Sequence, residues 1–286
     1  MRIFKLASLM VLFGAAFACA AQENYRLEVI PLFRPSEFGR LLHKAVVFDG
    51  SFYYLDSKYN LVSFSSGAGA EIIALPTTGR ARKIIGASSG TILYQEFDTL
   101  YSFSGKGSAV VSSSVAIGEK YEYDINLGVV DSRDGKILFR EKQKGFYSIA
   151  RLPAIDARGQ VFMLVRENLS DSFGSLVRIS GKSVEIIARG IRSFALAGDL
   201  LLCSTVRSTG QPTMSEEEYG LVLINDRGIV VADLQRSGED RGVFIYLDDV
   251  FASADGRLYG YGSGSMEVTG GREAIAGFFE LAIGKE

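Results

Sequence analysis

The 286-residue chain has no tryptophan, one histidine, two cysteines and five prolines. A single imidazole cannot build a multi-histidine metal site, and two cysteines do not make a zinc cluster. A Ser-His-Asp triad would have to run through His43, which lies in Leu41-Leu42-His43-Lys44-Ala45 with no nucleophile motif around it. There is no excess of either charge: 31 Lys+Arg stand against 33 Asp+Glu. Without a basic tract, a nucleic-acid partner has no electrostatic support. No glycine-rich phosphate loop opens a helix. Beyond the N-terminal segment no run could cross a bilayer as a helix.

What is present is apolar and turn-rich. Hydrophobic residues make up 47%, enough for a core, with 32 Gly, 19 Phe and 13 Tyr. Many aromatics with many glycines fit short strands joined by tight turns. The N-terminus reads as an export signal: Arg2 and Lys5 precede an apolar run of 13 residues, Leu6 to Ala18. Residues 1–18 are therefore the expected signal peptide and 19–286 one mature domain. Ala16-Phe17-Ala18-Cys19 resembles the lipobox of bacterial lipoproteins, which implies a lipid anchor on Cys19, although the family prefers Leu where Ala16 stands. The other reading is ordinary cleavage after Ala18, Ala20 or Ala21. Either way Cys203, in Leu200-Leu201-Leu202-Cys203, is expected to be a buried, inert thiol.

One short string recurs six times: Leu61–Ser65, Leu100–Ser104, Phe146–Ala150, Leu176–Ser180, Leu221–Asn225 and Phe278–Ala282. The steps average about 43 residues, near the length of a four-stranded unit. A turn glycine and an apolar strand precede each copy, at Gly50, Gly90, Gly135, Gly159, Gly198 and Gly256. Three of these turns are Asp-Gly, a strong hairpin signal. The third and fourth copies are only 30 residues apart. Either the third repeat lacks its outer strand or the register slips there. The sixth stops soon after its third strand, and Tyr25–Leu32 is expected to supply the missing one. Pro31 suits such an outer edge, where an absent N–H costs nothing.

These repeats resemble those of the β-propeller superfamily, and the resemblance spans nearly all of the mature chain. It implies an all-β fold of six four-stranded blades, with the N-terminal strand closing the last. No particular propeller family is singled out. The Trp-Asp signature is absent, and the strings at 132–135 and 253–256 miss the residue between Asp and Gly that sialidase Asp-boxes carry. Gly270-Gly271 is similar to the kelch double glycine but occurs once. A β-sandwich or a parallel solenoid is the alternative, and the Asp-Gly hairpins argue against the solenoid.

No catalytic, cofactor-binding or metal-binding constellation stands out. Asp171, Glu216, Glu217, Glu218, Asp248 and Asp249 are the carboxylates that acid–base hydrolysis of glycans or lactones could use, if two lay a few Å apart. Solvated acidic loop residues are the plainer reading of them. Calcium suits acidic loops, but no segment has the spacing of a calcium loop. One pattern points elsewhere. In repeats four to six the stretch between turn glycine and string grows to 17, 23 and 22 residues. The extra residues, Arg166–Ser175, Val206–Gly220 and Gly260–Gly277, are expected to form enlarged loops on one rim. Loops on a rigid scaffold are where binding concentrates. The candidates there are Arg166, Glu167, Asp171, Arg207, Glu216, Glu217, Glu218, Tyr219, Met266, Arg272 and Glu273. The sequence thus points to an exported binding or scaffold protein of the periplasm or outer surface. Its partner would be an envelope protein or a glycan, with membrane contact only through Cys19. The runner-up is an exported carboxylate-dependent hydrolase, and a third reading is an envelope protein with a purely structural role.

Overall fold

The computed structural model describes residues 25–34 and 45–285, apart from 57, 67, 76–81, 89, 97–98, 105–107, 111–113, 141–146, 149–150, 167–172, 182, 209–216 and 240–241. The signal segment, Cys19 and His43 lie outside the described residues.

Runs of β-branched and aromatic residues broken by turn glycines give a chain of antiparallel strands. The first, β1 (Tyr25–Phe33), is set aside for later use. The next four, β2 (Val46–Phe48), β3 (Ser51–Leu55), β4 (Leu61–Ser65) and β5 (Gly69–Ile73), form a sheet in chain order. A second sheet contains β6 (Arg82–Ser88), β7 (Thr91–Glu96), β8 (Thr99–Phe103) and β9 (Ser108–Val110). The third contains β10 (Ser114–Ala116), β11 (Tyr121–Asp124), β12 (Gly128–Asp131) and β13 (Ile137–Phe139). A larger sheet follows. In it β14 (Tyr147–Ser148) and β15 (Ala154–Ile155) both pair with β16 (Val161–Arg166). It continues through β17 (Gly174–Ser180), β18 (Ser183–Ala197), β19 (Leu200–Ser208), β20 (Glu217–Ile224) and β21 (Val230–Asp233). The short helix α1 (Leu234–Glu239) leads to the last sheet, β22 (Val243–Ala252), β23 (Leu258–Val268) and β24 (Gly271–Lys285). Here β1 returns and pairs with the outer side of β24, from Tyr25↔Lys285 to Phe33↔Phe278.

The sheets pack face to face in a cycle. Leu55 and Leu61 of the first sheet meet Ile84, Ile92 and Tyr94 of the second. Ile85, Leu93 and Leu100 of the second meet Val115 and Ile125 of the third. Tyr123, Val129 and Phe139 of the third meet Val161, Met163 and Val177 of the large sheet. Leu202, Leu221 and Leu223 of the large sheet meet Ile245, Leu247 and Phe279 of the last. Finally Phe251, Tyr259 and Phe278 of the last sheet return to Phe52 and Tyr54 of the first. Strands sandwiched this way are apolar on both faces, and that is how the sequence reads. The molecule is an all-β propeller.

The large sheet is one by hydrogen bonding and two layers by packing. The first half of β18 pairs with β17, and the second half, from Ile191 onward, pairs with β19. Gly190, with φ of 70°, lies at the handover. Phe162, Leu164 and Leu176 on one side of this line pack against Phe194, Leu201 and Val222 on the other. The sheet is therefore folded on itself along β18.

Five of the six strings are third strands, in β4, β8, β17, β20 and β24. In the third repeat the register slips. The strand in that place is β12, Gly128–Asp131, and Tyr147–Ser148 already belongs to the next sheet. Asp134-Gly135 turns between β12 and β13, so the third sheet keeps its outer strand.

Candidate functional site

Segments from β2, β6, residues 151–154, β18 and β22 surround a cavity of about 840 Å³. That volume suits a small-molecule site in general. Its lining includes the tight-turn residues Asp49, Gly50, Gly90 and Asp255. Asp49 and Gly50 both have positive φ, 48° and 72°, as the Asp-Gly hairpin requires.

Beside the cavity three chain segments are pinned together. Arg151 donates to the Asp249 carboxylate at 2.8 Å and to the Ser193 hydroxyl at 2.7 Å. The Ser193 hydroxyl in turn donates to Asp249 and accepts the Val250 N–H at 3.1 Å. Ser193 is wholly buried and Asp249 nearly so. A register shift between Leu247 and Asp249 marks this point on β22. Ser204 of β19 donates to the Leu247 carbonyl at the same place. Charged groups this buried and hydrogen-bonded act as a cross-link between sheets rather than as a waiting acid or base.

Asp249 is engaged by Arg151 and Ser193, and Asp248 by Arg192 at 2.8 Å. Asp171 and Glu216 lie outside the described residues. Asp255 at the cavity mouth is held below its usual range, chiefly by the hydrogen bond from the Ser253 hydroxyl. Cys203 is buried, and burial pushes its thiol up, far from any reactive thiolate.

The opposite face carries the long insertions, and here the structure corrects the sequence reading. Where the structure describes them, the second and third are ladders of strand, not loops; residues 167–172 of the first and 209–216 of the second lie outside the described residues. Val206, Arg207 and Ser208 pair with Tyr219, Glu218 and Glu217 and so prolong the β19–β20 hairpin. β23 and β24 pair without interruption from Leu258↔Leu281 to Val268↔Gly271, closing on the two-residue turn Thr269-Gly270. Arg166 ends β16 opposite Tyr147, half-buried. Glu167 lies outside the described residues. Met266 pairs with Val243 and Glu273 and is packed against the apolar cluster shared with the large sheet. Glu273 is exposed. Arg272 lies opposite Glu267, with its guanidinium 4.1 Å above the Phe244 ring.

Four residues of these sites were not found from sequence. Arg151 and Ser193 sit in unremarkable strings, and only the fold brings them to Asp249. Phe244 and Tyr246 did leave a signal. They alternate with Val243, Ile245 and Leu247, which places both aromatics on the face away from the large sheet.

No protein-family model matches the chain, and no curated protein does. Among solved structures it is similar to BamB from Moraxella catarrhalis, with 11% identity over 84% of this chain and 82% of that one, at a TM-score of 0.40. It is also similar to the WD40 repeats of RRP9, with 11% identity over 91% and 98% and a TM-score of 0.47. A third likeness is to Myxococcus xanthus glutaminyl cyclase, with 10% identity over 92% and 99% and a TM-score of 0.43. The assignment as a propeller rests on the strand order and cyclic packing of this chain.

Proposed function

We propose that the protein is an exported, non-enzymatic binding or scaffold protein of a bacterial cell envelope, which presents its hairpin-bearing rim to a protein or glycan partner. Its mature domain, residues 19–286, is a ring of six blades. In support of that count, apolar clusters join each unit to the next, and two of the units share β18. The observation that carries the functional reading is the asymmetry of the two faces. On one, the strands are joined by short turns. On the other, β19–β20 and β23–β24 run on as hairpins beyond their neighbours. The tips of these extensions lie beyond the β1–β24 pairing that closes the ring, and a rigid ladder holds contact residues better than a loop does. Export is supported by the N-terminal signal, and Cys19 is the candidate for a lipid anchor.

The test uses two trimmed proteins. One lacks Thr209–Glu218. The other lacks Glu267–Val268 and Gly271–Arg272, which joins the Met266↔Glu273 pair directly to the Thr269-Gly270 turn and leaves Met266 and Ile275 in place. Both are expected to fold and to lose the cross-linked adducts that the intact protein forms in native envelopes. Adducts that survive in both would overturn the reading. Palmitate labelling of the wild type and Cys19→Ala decides the anchor.

A further inference from the structure

We propose that the cavity enclosed by β2, β6, residues 151–154, β18 and β22 takes a short uncharged peptide in extended form, laid along the open edge of β18. The site is separate from the hairpin rim and gives the protein a second ligand.

Backbone geometry builds the site. In a two-residue hairpin the closing pair is hydrogen-bonded, and the residue before it turns its N–H and C=O away from the partner strand. The closing pairs are Phe48↔Ser51, Ser88↔Thr91 and Ala197↔Leu200. Val47, Ala87 and Leu196 are therefore turned outward. In β22 the Ser253 N–H donates to the Arg257 carbonyl at 2.9 Å, which turns Ala252 outward in the same way. All four residues line the cavity. β2, β6 and β22 stand at the ends of their sheets, and β18 beyond Ile191 pairs with β19 alone. Among the described residues no backbone bond reaches these four from outside their own hairpins. Further along two of the edges a partner is already in place. The Ile85 carbonyl accepts the Leu152 N–H at 2.6 Å, and the Val250 N–H donates to the Ser193 hydroxyl at 3.1 Å. β18 keeps the longest open row, because Phe194, two residues before Leu196, is turned the same way and also lines the cavity.

What fits such a row is another extended backbone. Each outward residue offers one N–H beside one C=O, a pair that a peptide residue answers with its own. A sugar or a hydrocarbon has no such repeating pair. Small residues along the wall, Ala154, Ala252 and Ala254, leave room for the side chains of the added strand. Phe48, Leu152 and Leu196 make much of the remaining lining apolar. The cations of the wall are answered within the protein. Arg151 is paired with Asp249 at 2.8 Å and Arg257 with Asp255 at 3.2 Å. The remaining charged lining residue, Asp49, is exposed at its turn, where water screens it. A charged peptide would thus lose hydration without gaining a counterion, and an uncharged one would not.

The chain has no tryptophan, so the emission of a tryptophan-bearing peptide reports the peptide alone. The full chain is titrated with acetyl-Ser-Leu-Trp-Leu-Ser-amide and with the same peptide N-methylated at every backbone nitrogen. The first is expected to saturate at one peptide per chain, with blue-shifted emission and the same affinity at low and high salt. The methylated peptide cannot donate to a strand edge and should bind more weakly by roughly tenfold or more. Leu196→Pro removes an N–H that faces the cavity and spares the ladder to β19, so it should weaken the first peptide by a similar factor. Leu196→Val keeps that N–H and should bind as the wild type does. Ala252→Phe, at an exposed position, fills part of the cavity and should also weaken binding; it decides the matter if Leu196→Pro does not fold. Both trimmed hairpin proteins should bind the peptide unchanged, because the cavity is not on their rim. No saturable binding, equal binding of the methylated peptide, unchanged binding by a folded Leu196→Pro or by Ala252→Phe, or loss of binding in the folded trimmed proteins would each overturn the inference.

Discussion

At the scale of single residues, one corner recurs around the ring. Asp56, Asp156, Asn225 and Ser253 each accept a backbone bond from the residue three on and donate one to the residue four on. The third residue has positive φ: Tyr59 at 64°, Gly159 at 77°, Gly228 at 76° and Gly256 at 83°. In the first three corners the side-chain oxygen also accepts the N–H groups two and four residues on, closing an Asx turn. Asp56 and Asp156 each also accept the side-chain amide of the residue four on, at 2.8 and 3.0 Å, and Asp156 is the most committed because it accepts the Arg158 guanidinium at 3.2 Å as well. Its replacement by Ala strands buried donors and should lower stability by about 2 kcal/mol in urea unfolding, with Asn losing less. A change near zero would show the corner to be set by backbone alone. Asp131 opens a related turn. There the Arg133 side chain holds the carboxyl at about 2, so it stays ionised well into acid.

At the scale of elements, the repeat was legible where turn glycine and apolar strand stand in fixed order. It was illegible where an Asp-Gly turn changed places. Asp134-Gly135 looks like its counterparts at 49–50 and 255–256 but joins the third and fourth strands of its sheet instead of the first and second. The hairpin of β23 and β24 was read as loop because Gly260, Gly262 and Gly264 interrupt its pattern. The structure gives the reason for two of them. A Cβ at Gly262 or Gly264 would lie 1.9 Å from the carbonyl oxygen of Tyr246 or Phe244, so β22 can approach only a glycine. The N-terminal strand was legible from an absence, since the sixth repeat lacked an outer strand. β1 buries Leu27 and Val29 against α1 and the last sheet. Removing it should therefore cost roughly 3–6 kcal/mol for those two side chains and expose the edge of β24. Unfolding of a protein starting at Arg34 measures this, and an unchanged midpoint would remove β1 from the closure.

At the scale of the molecule, residues far apart in the chain hold the ring together. Arg151, Ser193 and Asp249 come from three segments and meet beside the central cavity. Arg151→Met leaves Asp249 buried without its cation and should lower stability by about 3–5 kcal/mol. The double replacement Arg151→Met with Asp249→Leu should lose distinctly less, because no charge is then stranded. Equal losses in the single and double variants would mean that packing, not charge, sets the value of this cluster.

The pairing of β1 with β24 also sets a schedule. Tyr25 waits for Lys285, so the first of the described strands finds its partner in the last of them. Contacts of such long sequence separation form slowly. Until β24 has been made the ring stays unsealed, and β1 has nowhere to dock. The seam is thus a late-acting lock: it cannot engage before β24 is available to β1.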